Sequence, residues 1–220
     1  MLFRTDDYWI VDKPAGMSFH AESEGLGVMQ SLAIDYPDQT FFPVHRLDKI
    51  TSGLLIVACH ADAASKFGKM FEAHQVEKRY LALSSKKPKK KQGTVSGGMQ
   101  PSRRGQWKLS IGNENMAVTQ FFSSAYQGFR LFVVRPLTGK THQIRVALKS
   151  LGSPILGDLR YGGEESDRGY LHAYALHFEW QGEVKRYVCL PTFGAHFSSE
   201  LAKFVVAQFD ESLLKWPSRK

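Results

Sequence analysis

Cysteine is nearly absent from this 220-residue chain: only Cys59 and Cys189 occur, too few for a disulfide framework or a four-cysteine metal site. Both are expected as small buried apolar side chains rather than redox centres. Long hydrophobic runs are missing too. The stretch Leu54 to Cys59 falls far short of the roughly 20 residues that a membrane-crossing helix needs. Residues Met1 to Asp7 turn acidic at once and lack a basic patch followed by an apolar core, so they do not read as a secretory signal. These absences predict a cytoplasmic protein with no membrane partner. Several catalytic signatures are lacking as well: a Gly-rich phosphate loop followed by Lys-Ser or Lys-Thr, a Gly-x-Gly-x-x-Gly turn after a strand, and a Gly-x-Ser-x-Gly elbow. His45, His60, His74, His142, His172, His177 and His196 fall at no recognised metal-ligand spacing, so neither a metal nor a cofactor is expected.

What is present is core-forming material. With 43% hydrophobic and 12% aromatic residues the chain can bury a substantial core, which excludes disorder for most of its length. The net charge of +8 is concentrated: ten of the 29 Lys and Arg residues lie between Lys78 and Asn113, where no Asp or Glu occurs. Lys86, Lys87, Lys89, Lys90 and Lys91 surround Pro88, which interrupts any helix, so this run reads as a solvated cationic loop suited to a polyanion. The bland alternative is a loop that merely aids solubility.

Along the chain, Tyr8 to Val11 reads as a strand ending in the turn formers Pro14 and Gly16, and a helix is expected from about Gly27 to Tyr36, closed by Pro37. Gly53 to Ala58 is a continuous apolar strand. Phe67, Met70 and Phe71 mark one face of a helix over 62–74. Strands are expected at 79–83, 107–111, 117–123 and 129–135, and a hairpin with arms 177–180 and 184–190 turning at Gln181 and Gly182. Thr141 is the expected cap of a helix running to Leu151. Strands outnumber helices without regular alternation, so the expected class is α+β: one domain, 1–220, on a large mixed, mostly antiparallel sheet with flanking helices. The Lys/Gly/Ser-rich stretch at about 84–106 is taken as a long basic loop.

Two polar segments could carry chemistry. His45-Arg46-Leu47-Asp48-Lys49 places one carboxylate among three cationic or potentially cationic side chains just before a buried strand. Positive neighbours favour the ionised carboxylate, which suits a nucleophile better than a general acid; a plain surface salt-bridge cluster is the competing reading. Gly139-Lys140-Thr141-His142-Gln143-Ile144-Arg145 puts polar and basic groups at a helix start, where free N–H groups favour anions, although a capped helix with a basic face would look the same.

These segments together resemble the RluA-type RNA pseudouridine synthases. Four blocks match in order: Val11 to Met17, His45 to Leu55, Lys78 to Leu83, and Leu137 to Val146 followed by Gly152 to Asp158 and Tyr161-Gly162. The resemblance spans about residues 8 to 195. It implies the pseudouridine synthase catalytic fold, with Asp48 the catalytic aspartate, Arg145 its salt-bridge partner and Tyr80 the aromatic group at the target base. It also implies Arg46 as the residue that fills the space left by the flipped-out uridine. Lys140, Ile50 and Ala147 depart from the usual Arg, acidic residue and His. The chain starts almost at the catalytic domain, so the separate RNA-binding module that many relatives carry is expected to be missing.

The expected function is therefore cofactor-free isomerisation of uridine in structured ribosomal or transfer RNA by a monomer. His45, Arg46, Lys86, Lys87, Lys89, Lys90, Lys91, Arg103, Arg104, Lys140 and His142 are the expected RNA contacts. A non-catalytic RNA-binding or ribosome-assembly factor on the same fold would keep the basic loop but has no need for Asp48, Tyr80 and Arg145 together. A uracil-releasing nucleoside hydrolase would ordinarily need a second carboxylate to activate water.

Overall fold

The computed structural model describes residues 2–20, 25–112, 114–209 and 214–217. Asn113, which ends the acid-free stretch, and both ends of the expected 1–220 domain lie outside them. In chain order the elements are β1 (Phe3–Arg4), β2 (Tyr8–Lys13), α1 (Val28–Asp35), β3 (Phe42–Pro43), β4 (Thr51–Ala58), α2 (Ala61–Glu72), β5 (Glu77–Ser84), β6 (Gln92–Pro101), β7 (Trp107–Ser110), β8 (Met116–Tyr126), β9 (Phe129–Pro136), α3 (Gln143–Ser150), β10 (Leu171–Trp180), β11 (Glu183–Val188) and α4 (Leu201–Phe209). Short 3-10 turns occupy Arg103–Gly105 and Leu159–Tyr161. The α+β class expected from the sequence is the one observed. The chain divides into two compact units, Met1–Lys78 with His172–Cys189 and Arg79–Leu171 with Leu190–Lys220.

In the first unit β4 is buried along its whole length, and its apolar run from Gly53 to Ala58 suits that burial. It pairs antiparallel with β2, from Tyr8↔Ala58 to Lys13↔Gly53, and with β3, and it neighbours β10. The short β1 pairs with β2, and β11 with β10. Helix α2 lays Ala63, Phe67 and Met70 against Tyr8, Ile10, Leu54, Ile56, Leu176, Phe178 and Trp180. Phe67 stacks on Trp180 at 4.4 Å and meets Tyr8 edge-on at 5.3 Å, so this aromatic cluster, at about 1.5–3 kcal/mol for each large side chain fully buried, anchors the unit. His60 caps α2 by accepting the N–H of Ala63 at Nδ1 and donates from Nε2 to Asp7. Trp180 and Gln181 also donate to Asp7, and the bonds from Trp180 and then His60 hold its carboxyl below the usual range.

In the second unit β5, β9, β8, β6 and β7 lie side by side in that order, every pair antiparallel. Helix α3 packs on this sheet, and Val146 joins Met99, Ala117 and Tyr161 in a small core closed by Trp107 and Leu109.

The structure departs from expectation at four places. The basic loop is short: 92–101 is strand β6, and only 85–91 forms the loop before it. Glycine disguised this strand. A Cβ on Gly98 would come within 2.4 Å of the Gly112 carbonyl oxygen and 2.7 Å of that of Glu114, so a residue without a side chain is required there. Thr141 does not cap α3; the cap is His142, held in the left-handed region at φ 56° with no side-chain cap bond. Helix α4 lies beyond the last element expected from the sequence, the hairpin whose second arm ends at 190. The cysteines are half-buried rather than core residues, and burial pushes both thiols up to about 11.

Candidate active site

Asp48 sits in the loop leading into β4, and the first unit builds a scaffold around that loop. Lys13, at the end of β2, is 1% exposed and donates its Nζ to the carbonyls of Pro14 (2.9 Å) and Met17 (2.7 Å), with Lys49 O at 3.4 Å. The Gly16 N–H reaches the same Lys49 carbonyl at 2.8 Å. Thr51 N–H donates to Asp48 O at 3.0 Å, closing the turn into β4. A buried cation thus gathers the Pro14–Met17 turn and the Asp48–Lys49 segment around one ammonium group. The Asp48 residue is half-buried, while Arg46 and Lys49 are exposed.

His45 behaves differently from the sequence expectation. Its Nε2 accepts the N–H of Ile56 at 2.9 Å, and burial, with Lys78 nearby, lowers its pKa from 6.5 to about 3. It is a neutral acceptor that fixes the loop to β4 and does not count among the cations around Asp48. On β4, Ser52 donates its hydroxyl to Nδ1 of His172, whose Nε2 donates to the Cys189 carbonyl. The adjoining Gly53, at φ 104°, leaves no room for a side chain, since a Cβ would stand 2.3 Å from Ala173 O.

The second unit carries Tyr80 and Arg145. Tyr80 lies on β5 opposite Val134 and is 8% exposed. The start of α3 is fixed by Gln143, which uses all its bonding capacity. Its Oε1 accepts from Thr138 Oγ1 (2.7 Å) and Lys140 N (2.9 Å), and its Nε2 donates to Val118 O (3.0 Å) and Thr119 Oγ1 (2.9 Å). Two residues later Arg145, buried, grips Asp158 with Nε at 2.7 Å and Nη2 at 2.8 Å. This two-pronged geometry is available to Arg and not to Lys. The Tyr161 ring lies 4.7 Å from the Arg145 guanidinium carbon.

Of the expected RNA contacts in this unit, Lys86, Lys87, Lys89, Lys90, Lys91, Arg103 and Arg104 are exposed, and Lys140 and His142 are half-buried. The lysine loop is pinned by its backbone. Lys89 N donates to Leu151 O, buried Ser153 donates to Lys86 O, and Pro88 is itself buried. Its charged groups therefore project from a fixed base at the end of α3. Lys78 and Arg79, counted in the same acid-free stretch, are largely withdrawn, and burial lowers the Lys78 pKa.

Lys13, Asp158 and Tyr161 lie within the blocks that carry the family resemblance, and nothing in the sequence alone assigns them a role. The available signals were a lysine closing an apolar strand just before a Pro-Gly turn, and an Asp and a Tyr three residues apart between glycines. Among the described residues no three His, Cys, Asp or Glu side chains come together as metal ligands, and no helix is long and apolar enough to cross a membrane.

Residues 7–150 match the family described as RNA pseudouridylate synthase. An uncharacterized RNA pseudouridine synthase of Haemophilus influenzae is 46% identical over 197 residues, 88% of each chain. A ribosomal large subunit pseudouridine synthase C of Rickettsia bellii is 35% identical over 79% of this chain and 61% of its own length, so the chain spans under two thirds of that relative. A tRNA pseudouridine synthase C of Haemophilus ducreyi is 31% identical, with 81% and 84% covered. Among solved structures, human RNA pseudouridylate synthase domain containing 1 superposes with a TM-score of 0.76 at 26% identity, covering 94% of this chain and 92% of that one. A family match across most of the chain, a relative 46% identical over 88% of each chain and a shared fold agree: the chain belongs to the RNA pseudouridylate synthases, enzymes that isomerise uridine in RNA.

Proposed function

We propose that the substrate is uridine in structured ribosomal or transfer RNA and that Asp48 is the attacking carboxylate. The observation that carries this reading is the scaffold of Lys13, Gly16 and Thr51 around the Asp48–Lys49 segment, investment that a solvated salt-bridge cluster would not need. Relatives named for ribosomal and for transfer RNA support the two substrate classes.

The reaction breaks the C1′–N1 bond, turns the uracil, forms a C1′–C5 bond and moves the C5 proton away while N1 gains one, so atoms balance without a cofactor. Asp48 serves as the anion at the nucleoside and Arg145 as the fixed cation. Tyr80 offers an apolar ring for stacking on uracil and a polar tip for the late proton transfer. Lys86, Lys87, Lys89, Lys90, Lys91, Arg103 and Arg104 hold phosphates, and Arg46 fills the vacated stack. The enzyme works as a cytoplasmic monomer.

The test is pseudouridine mapping of total RNA from cells lacking the gene, complemented by wild type or Asp48→Asn. Signals lost on deletion and restored only by wild type are expected. Restoration by Asp48→Asn would remove Asp48 from the chemistry and favour the assembly-factor reading.

A further inference from the structure

The Asp158–Tyr161 turn holds the α3 arginine from two directions. Asp158 takes the edge of the guanidinium, through Nε and Nη2. The Tyr161 ring takes its face at 4.7 Å. Asp158 and Tyr161 belong to the same short turn, which is closed by bonds from the Tyr161 and Gly163 N–H groups to Asp158 O. The turn has no slack, because a Cβ on Gly163 would lie 1.9 Å from Ile155 O.

The Tyr161 hydroxyl, in a residue 1% exposed, does something else. It accepts the N–H of Trp107 at 2.8 Å and is hydrogen-bonded to His142 Nδ1, also at 2.8 Å. His142 is the left-handed cap of α3, and its carbonyl receives the Val146 N–H. Trp107 is the first residue of β7 and directly follows the tight turn that carries exposed Arg103 and Arg104. Arg160, next to Tyr161, is exposed, and its Nη1 lies 3.5 Å from where a Cβ on Gly105 would stand in that same turn. One buried side chain thus touches the foot of the basic β6–β7 hairpin, the cap of α3 and the flat face of Arg145.

We infer that Tyr161 is a positioning residue that couples the seating of RNA phosphates on the Arg103–Arg104 hairpin to the placement of Arg145. This inference rests on the proposed role of Arg145 in the reaction. Anion binding at the hairpin fixes the start of β7. The hydroxyl passes that constraint to the α3 cap, and the ring holds the guanidinium in plane with Asp158.

The experiment compares Tyr161→Phe, Tyr161→Leu, the pair Arg103→Gln/Arg104→Gln and the triple combination with Phe. The substrate is bulk RNA from a strain lacking the gene, tritiated at uridine C5; tritium release gives kcat and KM, and thermal unfolding is followed in parallel. Phe keeps the ring and loses only the link, so kcat is expected to fall about 10-fold with KM changed less; Leu loses both and is expected to fall about 100-fold, the scale of a small misplacement of a reacting group. The arginine pair is expected to lower kcat in the wild-type background but to change only KM in the Tyr161→Phe background.

A lower melting temperature with unchanged kcat in Tyr161→Phe would reduce the residue to a structural role and overturn the inference. So would an equal kcat loss from the arginine pair in both backgrounds. Arg145→Lys at the wild-type rate would instead overturn the role of Arg145 itself, whereas an inactive Arg145→Lys beside a normal Tyr161→Phe would sink the coupling alone.

Discussion

Replacing Lys13 with Met tests the scaffold of the Asp48 loop. The substitution keeps the volume of the stem and removes the ammonium that binds Pro14 O at 2.9 Å and Met17 O at 2.7 Å. The Lys49 carbonyl loses only a weak contact and keeps the Gly16 N–H. Two carbonyls are left without this donor, at about 1–3 kcal/mol each, and relief from burying a charge offsets part of that. The net expectation is about 3 kcal/mol, or roughly 6–12 °C in melting temperature for a chain of this size. Urea unfolding followed by tryptophan emission measures it, with Trp9 on the same strand as a reporter. Loosening the loop should also lower kcat by about 10-fold or more, since small displacements of a reacting group are costly, with little change in KM. Lys13→Arg should do no better, because its forked donors do not fit a site built around one nitrogen. A loss below about 1 kcal/mol with an unchanged kcat would refute the view that this lysine organises the loop.

Gly53→Ala should cost about 3 kcal/mol or more, by overpacking against Ala173 O and by strain at φ 104°. Gly16→Ala, at φ 83° with nothing within 4 Å, should cost only about 1–2 kcal/mol of backbone strain, so chemical denaturation should separate the two. Asp158→Asn removes one charge from a buried two-pronged pair and should lower stability by about 3 kcal/mol; calorimetry showing no change would mean that Asp158 is dispensable to Arg145. Changing Lys86, Lys87, Lys89, Lys90 and Lys91 to Gln should flatten the salt dependence of RNA binding by as much as about 4 in log–log slope, with kcat at saturation nearly unchanged; an unaltered slope would make the loop mere solvation. His45 stays neutral in the fold down to about pH 3, while the unfolded chain protonates it near 6.5. Its contribution is therefore complete above pH 6.5 and is lost as pH falls toward 3, by at most about 1.4 kcal/mol per pH unit. Unfolding of His45→Asn should be less pH-dependent across that window, and an identical pH profile would contradict the assignment.

The apolar elements were legible in the sequence because burial writes itself as pattern. Gly53 to Ala58 needed only its unbroken apolar run, and the Phe67–Met70 face of α2 only its spacing. Strand β6 was not legible, because its glycines serve close backbone approach rather than a turn, and composition does not distinguish the two. Asp48, Tyr80 and Arg145, the residues proposed for the reaction, were singled out by the family-like blocks that contain them and not by periodicity or composition. Lys13 and Tyr161 did not, since their importance lies in which distant carbonyls and rings they meet. His45 misled for a related reason: an imidazole beside an Arg reads as a cation until its acceptor role toward a backbone N–H is seen.

Strand β6 has a further consequence. Strand β7 covers only Gly98–Pro101 of its outer side, and Gln92 to Gly97 pair with β8 alone among the described residues. Such an open edge is a template on which another copy of the chain could add a strand. The pinned lysines stand at the head of that edge and bring like charge against like charge when two copies approach. Like charges there oppose edge-to-edge pairing, so removing these lysines would bare a strand template as well as lower the charge of the loop.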